Sequence, residues 1–338
     1  MRIDAAGNIG SDGLGMVDTI IYDRQRFRGA DRIETAAIIA ESSFASAETA
    51  LIARADNFPD ALSGSYLAGQ LDAPLLLSNT GSLPAATAEA LADLGVENVI
   101  LLGGTAAISP AVEDALDDTY DVERIGGPDR YATAALIARR PGNVVGQLDG
   151  RPTAFVASGA NFPDALVAGG PAYDQQFPLL LTPPGDVAAP TAEALEALGI
   201  TQVIVPGGSA AVSEQVTDDL QGDGLEVIRV AGAERTQTAA LLADFALERL
   251  GWTAMHANVA RGDAFPDALA MGPHAGIERA PLLLTANPDT PGTAQTWLAG
   301  HRCTLQALHL AGGEVAVTAA AEQVLAAAAT PDASCTSG

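Results

Sequence analysis

The chain has 338 residues, 48% hydrophobic but only 4% aromatic, which is enough for two or three domains with aliphatic cores. Its formal net charge is −25 and all 17 basic residues are arginine, a balance that disfavours nucleic acid because a duplex would meet net repulsion. No apolar run approaches the roughly 18 residues of a membrane span. Residues 1–16 are Gly- and Asp-rich, with neither a basic start nor an apolar stretch, so a signal peptide is expected to be absent from this chain even if the protein is exported.

In chain order the first patterned block is Arg26, then Gly29-Ala30-Asp31-Arg32-Ile33-Glu34-Thr35-Ala36. Ala50–Arg54 is a short apolar run and predicts a strand. Phe58-Pro59 fixes a helix start, so Asp60–Ala68 predicts a helix with Asp60 in its first turn, where the helix dipole and free N–H groups favour a carboxylate. Leu75–Ser78 predicts a strand entered through Pro74. Pro84–Leu94 predicts a helix ended by Gly95, and Val99–Leu102 a strand buried on both faces. After the Gly103-Gly104 turn, Ser109 is expected to N-cap a helix to about Leu116, and Asp121–Ile125 closes the series as a strand.

The whole order then recurs twice. Phe-Pro-Asp-Ala-Leu stands at Phe58–Leu62, Phe162–Leu166 and Phe265–Leu269, so that Asp60, Asp164 and Asp267 follow at steps of 104 and 103 residues. The arginine block returns as Arg124 with Gly127-Pro128-Asp129-Arg130, and as Arg229 with Gly232-Ala233-Glu234-Arg235. Pro-Leu-Leu-Leu returns at Pro178 and Pro281, and the Gly-Gly turn at Gly207 and Gly312. One module is written three times. Strands alternating with short helices predict the α/β class with largely parallel sheets. The expectation is three tandem three-layer α/β modules over 17–123, 124–228 and 229–330. No Ser/Gly/Pro linker separates them, which favours close packing with pseudo-threefold symmetry.

Function must then come from something a module does in triplicate. Arg32, Arg130 and Arg235, with Arg26, Arg124 and Arg229, are rigid forks suited to phosphate or carboxylate. They serve either as ligand contacts or as internal ion pairs, for example with Asp31 or Asp60. Asp60, Asp164 and Asp267 either cap their helices or receive arginines or sugar hydroxyls at a module junction. Each Gly-Gly turn either presents N–H groups to an anion or is a tight strand-to-helix connection. Asp56 and Asp263 have Ala160 as their counterpart, so no threefold metal site is expected. His256, His274, His301 and His309 all fall in the last module, without a His-Glu-x-x-His pattern, and read as core or surface residues. No catalytic residue and no cofactor are expected.

Together, Arg-x-x-Gly-x-Asp-Arg-x-x-Thr-Ala, Phe-Pro-Asp-Ala-Leu, Pro-Leu-Leu-Leu and Gly-Gly-x-x-Ala-Val-Ser resemble the type 2 cell-wall-binding repeat of Gram-positive surface proteins over residues 20–330. The resemblance implies a non-catalytic anchor with three packed modules, a place at the cell wall or cell surface after secretion, and an anionic cell-wall polymer or peptidoglycan-linked glycan as partner. A polymer of that charge is repelled by a −25 protein, so basic clefts, divalent-cation bridging or high salt must offset the repulsion. The alternatives are an adhesin or scaffold whose repeats only pack, and a cell-wall glycan hydrolase. Three departures make the modules unequal: Glu234 in place of Asp, Ser158 where the others carry Arg54 and Arg261, and Arg28 before Gly29 where the second copy has Gly126. Cys303 and Cys335 both lie in the last module, and a bridge between them would tie down the C-terminal tail in an oxidising compartment.

Overall fold

The computed structural model describes residues 23–336. The chain enters through β1 (Asp23–Phe27). The first repeat continues as α1 (Arg32–Ser43), β2 (Thr49–Arg54), α2 (Pro59–Leu71), β3 (Leu75–Ser78), α3 (Ala85–Asp93), β4 (Asn98–Leu102), α4 (Pro110–Asp117) and β5 (Asp121–Ile125). The second runs α5 (Arg130–Ala138), β6 (Gln147–Leu148), β7 (Arg151–Ser158), α6 (Pro163–Val167), α7 (Gly169–Gln175), β8 (Leu179–Thr182), α8 (Ala189–Ala197), β9 (Gln202–Pro206), α9 (Glu214–Gly222) and β10 (Glu226–Val230). The third is α10 (Arg235–Arg249), β11 (His256–Arg261), α11 (Pro266–Leu269), α12 (Met271–Glu278), β12 (Leu282–Thr285), α13 (Thr293–His301), β13 (Ala307–Ala311) and α14 (Ala319–Ala329), followed by a 3-10 turn over Ala333–Thr336.

Each repeat carries one parallel sheet. The orders are β3-β2-β4-β5, then β8-β7-β9-β10, then β12-β11-β13-β1. The class and layering expected from the sequence are therefore present. One antiparallel addition, β6 against the start of β7, edges the second sheet. The element whose sheet was not legible is β1. It lies parallel to β13, with Asp23 opposite Ala307 and Phe27 opposite Ala311, and so completes the third sheet rather than the first. β5 and β10 make the same edge in their own sheets, and each then leads directly into the next repeat's arginine block. The N-terminal strand thus closes the ring.

Each sheet has an outer and an inner apolar face. The outer faces form three separate cores, one per repeat. The inner faces drain into one shared core that includes Tyr66, Leu67, Phe155, Tyr173, Trp252 and Met271. The pentapeptide helices line it, and their tips meet on the pseudo-threefold axis. There Phe58, Phe162 and Phe265 form a triangle, with ring centroids 5.5–5.6 Å apart and tilted or edge-on faces, the geometry aromatic quadrupoles favour.

Deeper along the axis the helices approach through small residues. The equivalent positions Gly69, Tyr173 and Gly276 hold one large side chain and two glycines. A Cβ on Gly69 would stand 2.2 Å from the Tyr173 carbonyl oxygen, and one on Gly276 would stand 2.5 Å from the Tyr173 ring. The Tyr173 hydroxyl donates to Asp72 Oδ1 of the first repeat at 2.7 Å. Cys303 and Cys335 are bridged, with Cα atoms 5.0 Å apart, which ties the terminal turn back to the end of α13.

Candidate functional site

The arginine blocks form helix starts. Asp31 accepts from the N–H groups of Ile33 (2.8 Å) and Glu34 (3.0 Å), and Asp129 from Tyr131 (2.9 Å) and Ala132 (2.8 Å), as N-caps do. Glu234 makes no such bond; it accepts from the Thr236 hydroxyl at 2.7 Å, because its longer side chain reaches past the helix end. The repeated threonine of the block closes it in all three copies. Thr35, Thr133 and Thr238 each accept from the block's glycine N–H, at 3.2, 3.0 and 3.1 Å.

The two sets of arginines separate in space. Arg26, Arg124 and Arg229 each donate Nη1 to the carbonyl of the first glycine of a Gly-Gly turn: Gly312 (2.8 Å), Gly103 (3.0 Å) and Gly207 (2.8 Å). Arg26 also reaches Val317 O (3.0 Å) and Glu322 (2.7 Å), Arg124 reaches Glu113 (2.8 Å), and Arg229 lies 3.8 Å from Glu214. These three fasten the edge strand to its turn and have little capacity left for a ligand. Arg32, Arg130 and Arg235 instead donate Nη1 to the carbonyl at the end of their own repeat's first core strand: Ala55 (3.1 Å), Gly159 and Gly262 (2.7 Å). Arg32 and Arg235 also line clefts.

Each cleft lies between repeats. Arg130 neighbours Asp60 of the preceding repeat, Arg235 neighbours Asp164, and around the closed ring Arg32 neighbours Asp267. Within one repeat, Asp60 and Arg32 belong to different junctions. The pentapeptide aspartates do not cap their helices, a correction to one of the sequence readings. The cap positions belong to Phe58, Phe162 and Phe265, and none makes a side-chain cap bond. The carboxylates lie instead against the Gly-Gly turns. A Cβ on Gly103, Gly207 or Gly312 would stand 2.4–2.5 Å from the aspartate Oδ2, and all three glycines have φ between +90° and +105°. Only glycine satisfies both demands. The first N–H of each turn is also unavailable to an anion: Gly103, Gly207 and Gly312 donate it to Ile125, Val230 and Phe27 at 2.8–2.9 Å. Ser109 likewise occupies its cap position without a side-chain bond, whereas Ser213 and Thr318 do make one.

Burial pushes the Asp60 carboxyl up to about 6, against the pull of Arg54 and Arg130. Burial also raises Asp164 and Asp267, and Asp164 Oδ1 has no hydrogen-bond partner among the described residues. The Ser158 departure has a local explanation. Arg54 and Arg261 fork onto Asp56 and Asp263 at 2.6–2.9 Å, holding those carboxyls below their usual range. In the second repeat a hydrogen bond from Ala160 N–H to Ser158 Oγ (3.3 Å) replaces the ion pair.

The histidines stand apart from the clefts. His274 Nε2 lies 3.0 Å from His309 Nδ1, His274 Nδ1 lies 2.9 Å from Ser43 Oγ, and Phe27 meets both rings edge-on. Burial lowers the His274 pKa to about 3 and keeps its ring neutral. His256 pairs with Glu278 at 2.8 Å, and His301 stacks on Trp297. No group of three potential metal ligands is present among the described residues. Sequence reasoning missed the axial phenylalanines, which repetition of the pentapeptide's first residue could have flagged, and the Arg–Asp pairing across repeats, which no local pattern encodes.

Three α/β repeats closed into a ring, with an Arg–Asp neighbour pair at each junction and clefts at two of them, define a tandem-repeat binding architecture. The chain belongs to the cell wall binding domain 2 (CWB2) family, matched three times at residues 26–113, 124–217 and 229–322. Its repeats are cell wall binding domains, and no helix among its described residues is long and apolar enough to cross a membrane. Over 272 residues it is 28% identical to the N-acetylmuramoyl-L-alanine amidase LytC of Bacillus subtilis, covering 80% of this chain and 52% of that protein. Over 274 residues it is 28% identical to the amidase enhancer of the same organism, covering 80% and 36%. The chain therefore spans about half or less of these relatives. Among solved structures it resembles Cwp8 of Clostridium difficile (TM-score 0.78, 25% identity, 91% of this chain and 52% of that one). Cwp6 from that organism shares the fold (TM-score 0.78, 24% identity, 94% and 50%).

Proposed function

We propose that the chain holds a protein to the wall by binding an anionic secondary polymer in its junction clefts, without catalysing a reaction. The carrying observation is the cleft geometry. Arg32, Arg130 and Arg235 each spend one Nη on a backbone carbonyl, beside a turn and a carboxylate contributed by the preceding repeat. A guanidinium oriented in this way keeps donors for a phosphate or carboxylate. Asp60, Asp164 and Asp267 supply acceptors for sugar hydroxyls, while Arg26, Arg124 and Arg229 build the turns. A binding role also suits the relatives, since an amidase and an amidase enhancer carry the same repeats despite different named activities. A protein of net charge −25 meets such a polymer through these local clefts, helped by screening or by bridging divalent cations. The protein acts after secretion.

The test is sedimentation with purified wall polymer, with and without chelator, for wild type and the Arg32→Ala/Arg130→Ala/Arg235→Ala triple variant. Loss of binding with the fold intact is expected. Undiminished binding would remove the clefts as the site and leave the adhesin or scaffold reading. Release of soluble glycan by the purified protein would restore the hydrolase reading.

A further inference from the structure

We propose that the three junctions are unequal, and that the ring-closing cleft between the third repeat and the first arginine block is the principal anion site, selected by Arg28. This rests on the cleft reading above. The ring-closing cavity measures about 340 Å³ and is lined by Arg28, Arg32 and Arg261 against Asp31 and Asp267. The cleft between the second and third repeats measures about 200 Å³ and is lined by Arg235 alone against Asp164 and Glu234. Arg261 is forked onto Asp263, so Arg28 and Arg32 stand against Asp31 and Asp267 in the ring-closing cleft, a balanced site, whereas one cation against two carboxylates opposes an anion in the other.

The carboxylates of the ring-closing cleft are also engaged: Asp31 caps a helix, and Asp267 faces Arg32 and Arg261. Glu314, exposed in the turn beyond, is not among the residues lining the cavity.

Arg28 has no counterpart at the other junctions. Its stem lies over Gly313, where a Cβ would stand 3.4 Å from Arg28 Cγ, and its head is exposed without an ion pair among the described residues. In the second repeat Gly126 holds this place, and a Cβ there would stand 2.6 Å from the Gly103 carbonyl carbon, so no side chain fits. In the third repeat the residue is Ala231. At the remaining junction Arg54 and Arg130 neighbour Asp60, Arg54 is forked onto Asp56, and Arg130 is committed in part to the axis, its guanidinium 5.7 Å from the Phe58 ring centroid. An unpaired guanidinium on a packed stem beside two further arginines is built for a phosphate or carboxylate on a repeating glycan.

Titration calorimetry with poly(glycerol phosphate) and, separately, polygalacturonate distinguishes the two groups. Against the polymer that binds, Arg28→Ala should weaken affinity about tenfold, Arg28→Lys should recover much of the loss, and Arg235→Ala should change it less than about twofold. Arg28 is exposed, so thermal unfolding of Arg28→Ala should match wild type. An Arg235→Ala loss equal to that of Arg28→Ala would overturn the inequality and leave the cleft reading standing. So would an Arg28→Ala effect within twofold when the triple variant no longer binds. Retention of binding by the triple variant would overturn both.

Discussion

Arg26→Ala tests whether ring closure depends on β1. Two covalent routes carry the chain between neighbouring repeats, through β5 and through β10. The third junction has β1 alone, held to β13 without a preceding helix among the described residues. Arg26 fastens it with bonds to Gly312 O (2.8 Å), Val317 O (3.0 Å) and Glu322 (2.7 Å), and the ion pair is mostly buried, at 13% and 19% side-chain exposure. Removing Arg26 strands two carbonyls and leaves the mostly buried Glu322 carboxylate only the more distant Arg24, at 3.6 Å. At about 1 kcal/mol for each bond to a carbonyl and about 1.5–3 for the one to the carboxylate, the loss is about 3.5–5 kcal/mol. The assay is native-state hydrogen exchange at two amides, Asp23 N–H, which donates to Gln306 O, and Gly312 N–H, which donates to Phe27 O. Their protection should fall by about three orders of magnitude. Arg124→Ala should cost similar global stability but leave those two amides protected. Unchanged exchange at Asp23 and Gly312 in Arg26→Ala would refute the view that this side chain closes the ring.

Three further outcomes follow from the geometry. Asp60 has a folded pKa of about 6 against an ordinary 3.8, so its contribution is full below about pH 4 and fades as pH rises through 6, a penalty of up to about 3 kcal/mol at pH 8. Asp60→Asn should therefore raise stability in urea most at pH 8, by about half as much at pH 5 and little near pH 3, and a variant with the wild-type pH slope would contradict this. Gly69→Ala should cost at least about 2 kcal/mol, since its Cβ meets the Tyr173 carbonyl at 2.2 Å, whereas Gly104→Ala, with its nearest neighbour at 3.8 Å, should be close to neutral in the same melts. Reducing Cys303–Cys335, which spans a separation of 32 residues, should lower calorimetric stability by about 3–4 kcal/mol, and an unchanged transition in reductant would show that the unfolded loop is already restrained.

Local structure was legible because it is written locally. Pro59, Pro163 and Pro266 start helices, Gly95 ends one with φ +66°, and the Leu-Leu-Leu runs form strands buried on both faces. The tandem repetition made the three-module ring legible too. The partners of Asp60 were not, because a period of about 100 residues gives the content of a module but not which neighbour each face meets. The nearest arginine block in sequence lies upstream at Arg32, yet Asp60 faces Arg130, because the edge strand β5 delivers the following block to the preceding repeat's turn. The same ambiguity hid β1, whose five residues read as the start of the first module and pair as the end of the third.

The divergence between copies is concentrated where the copies meet. A point on a threefold axis cannot hold three large side chains, and three glycines there would leave a void costing roughly 1 kcal/mol for each missing methyl-sized volume. The chain fills it once, with Tyr173 against Gly69 and Gly276. Three identical subunits could not do this, since any substitution would appear in all three places. Fusion into a single chain frees each junction to differ, and the clefts use the same freedom. Ser158 replaces an ion-paired arginine and Gly126 leaves no room for a side chain, both in the second repeat, and Arg28 adds a cation at the ring closure. The axial asymmetry serves packing and the cleft asymmetry serves charge, so exchanging Ala231 for arginine should strengthen anion binding without disturbing the Tyr173 contact, because the two sites share no residue.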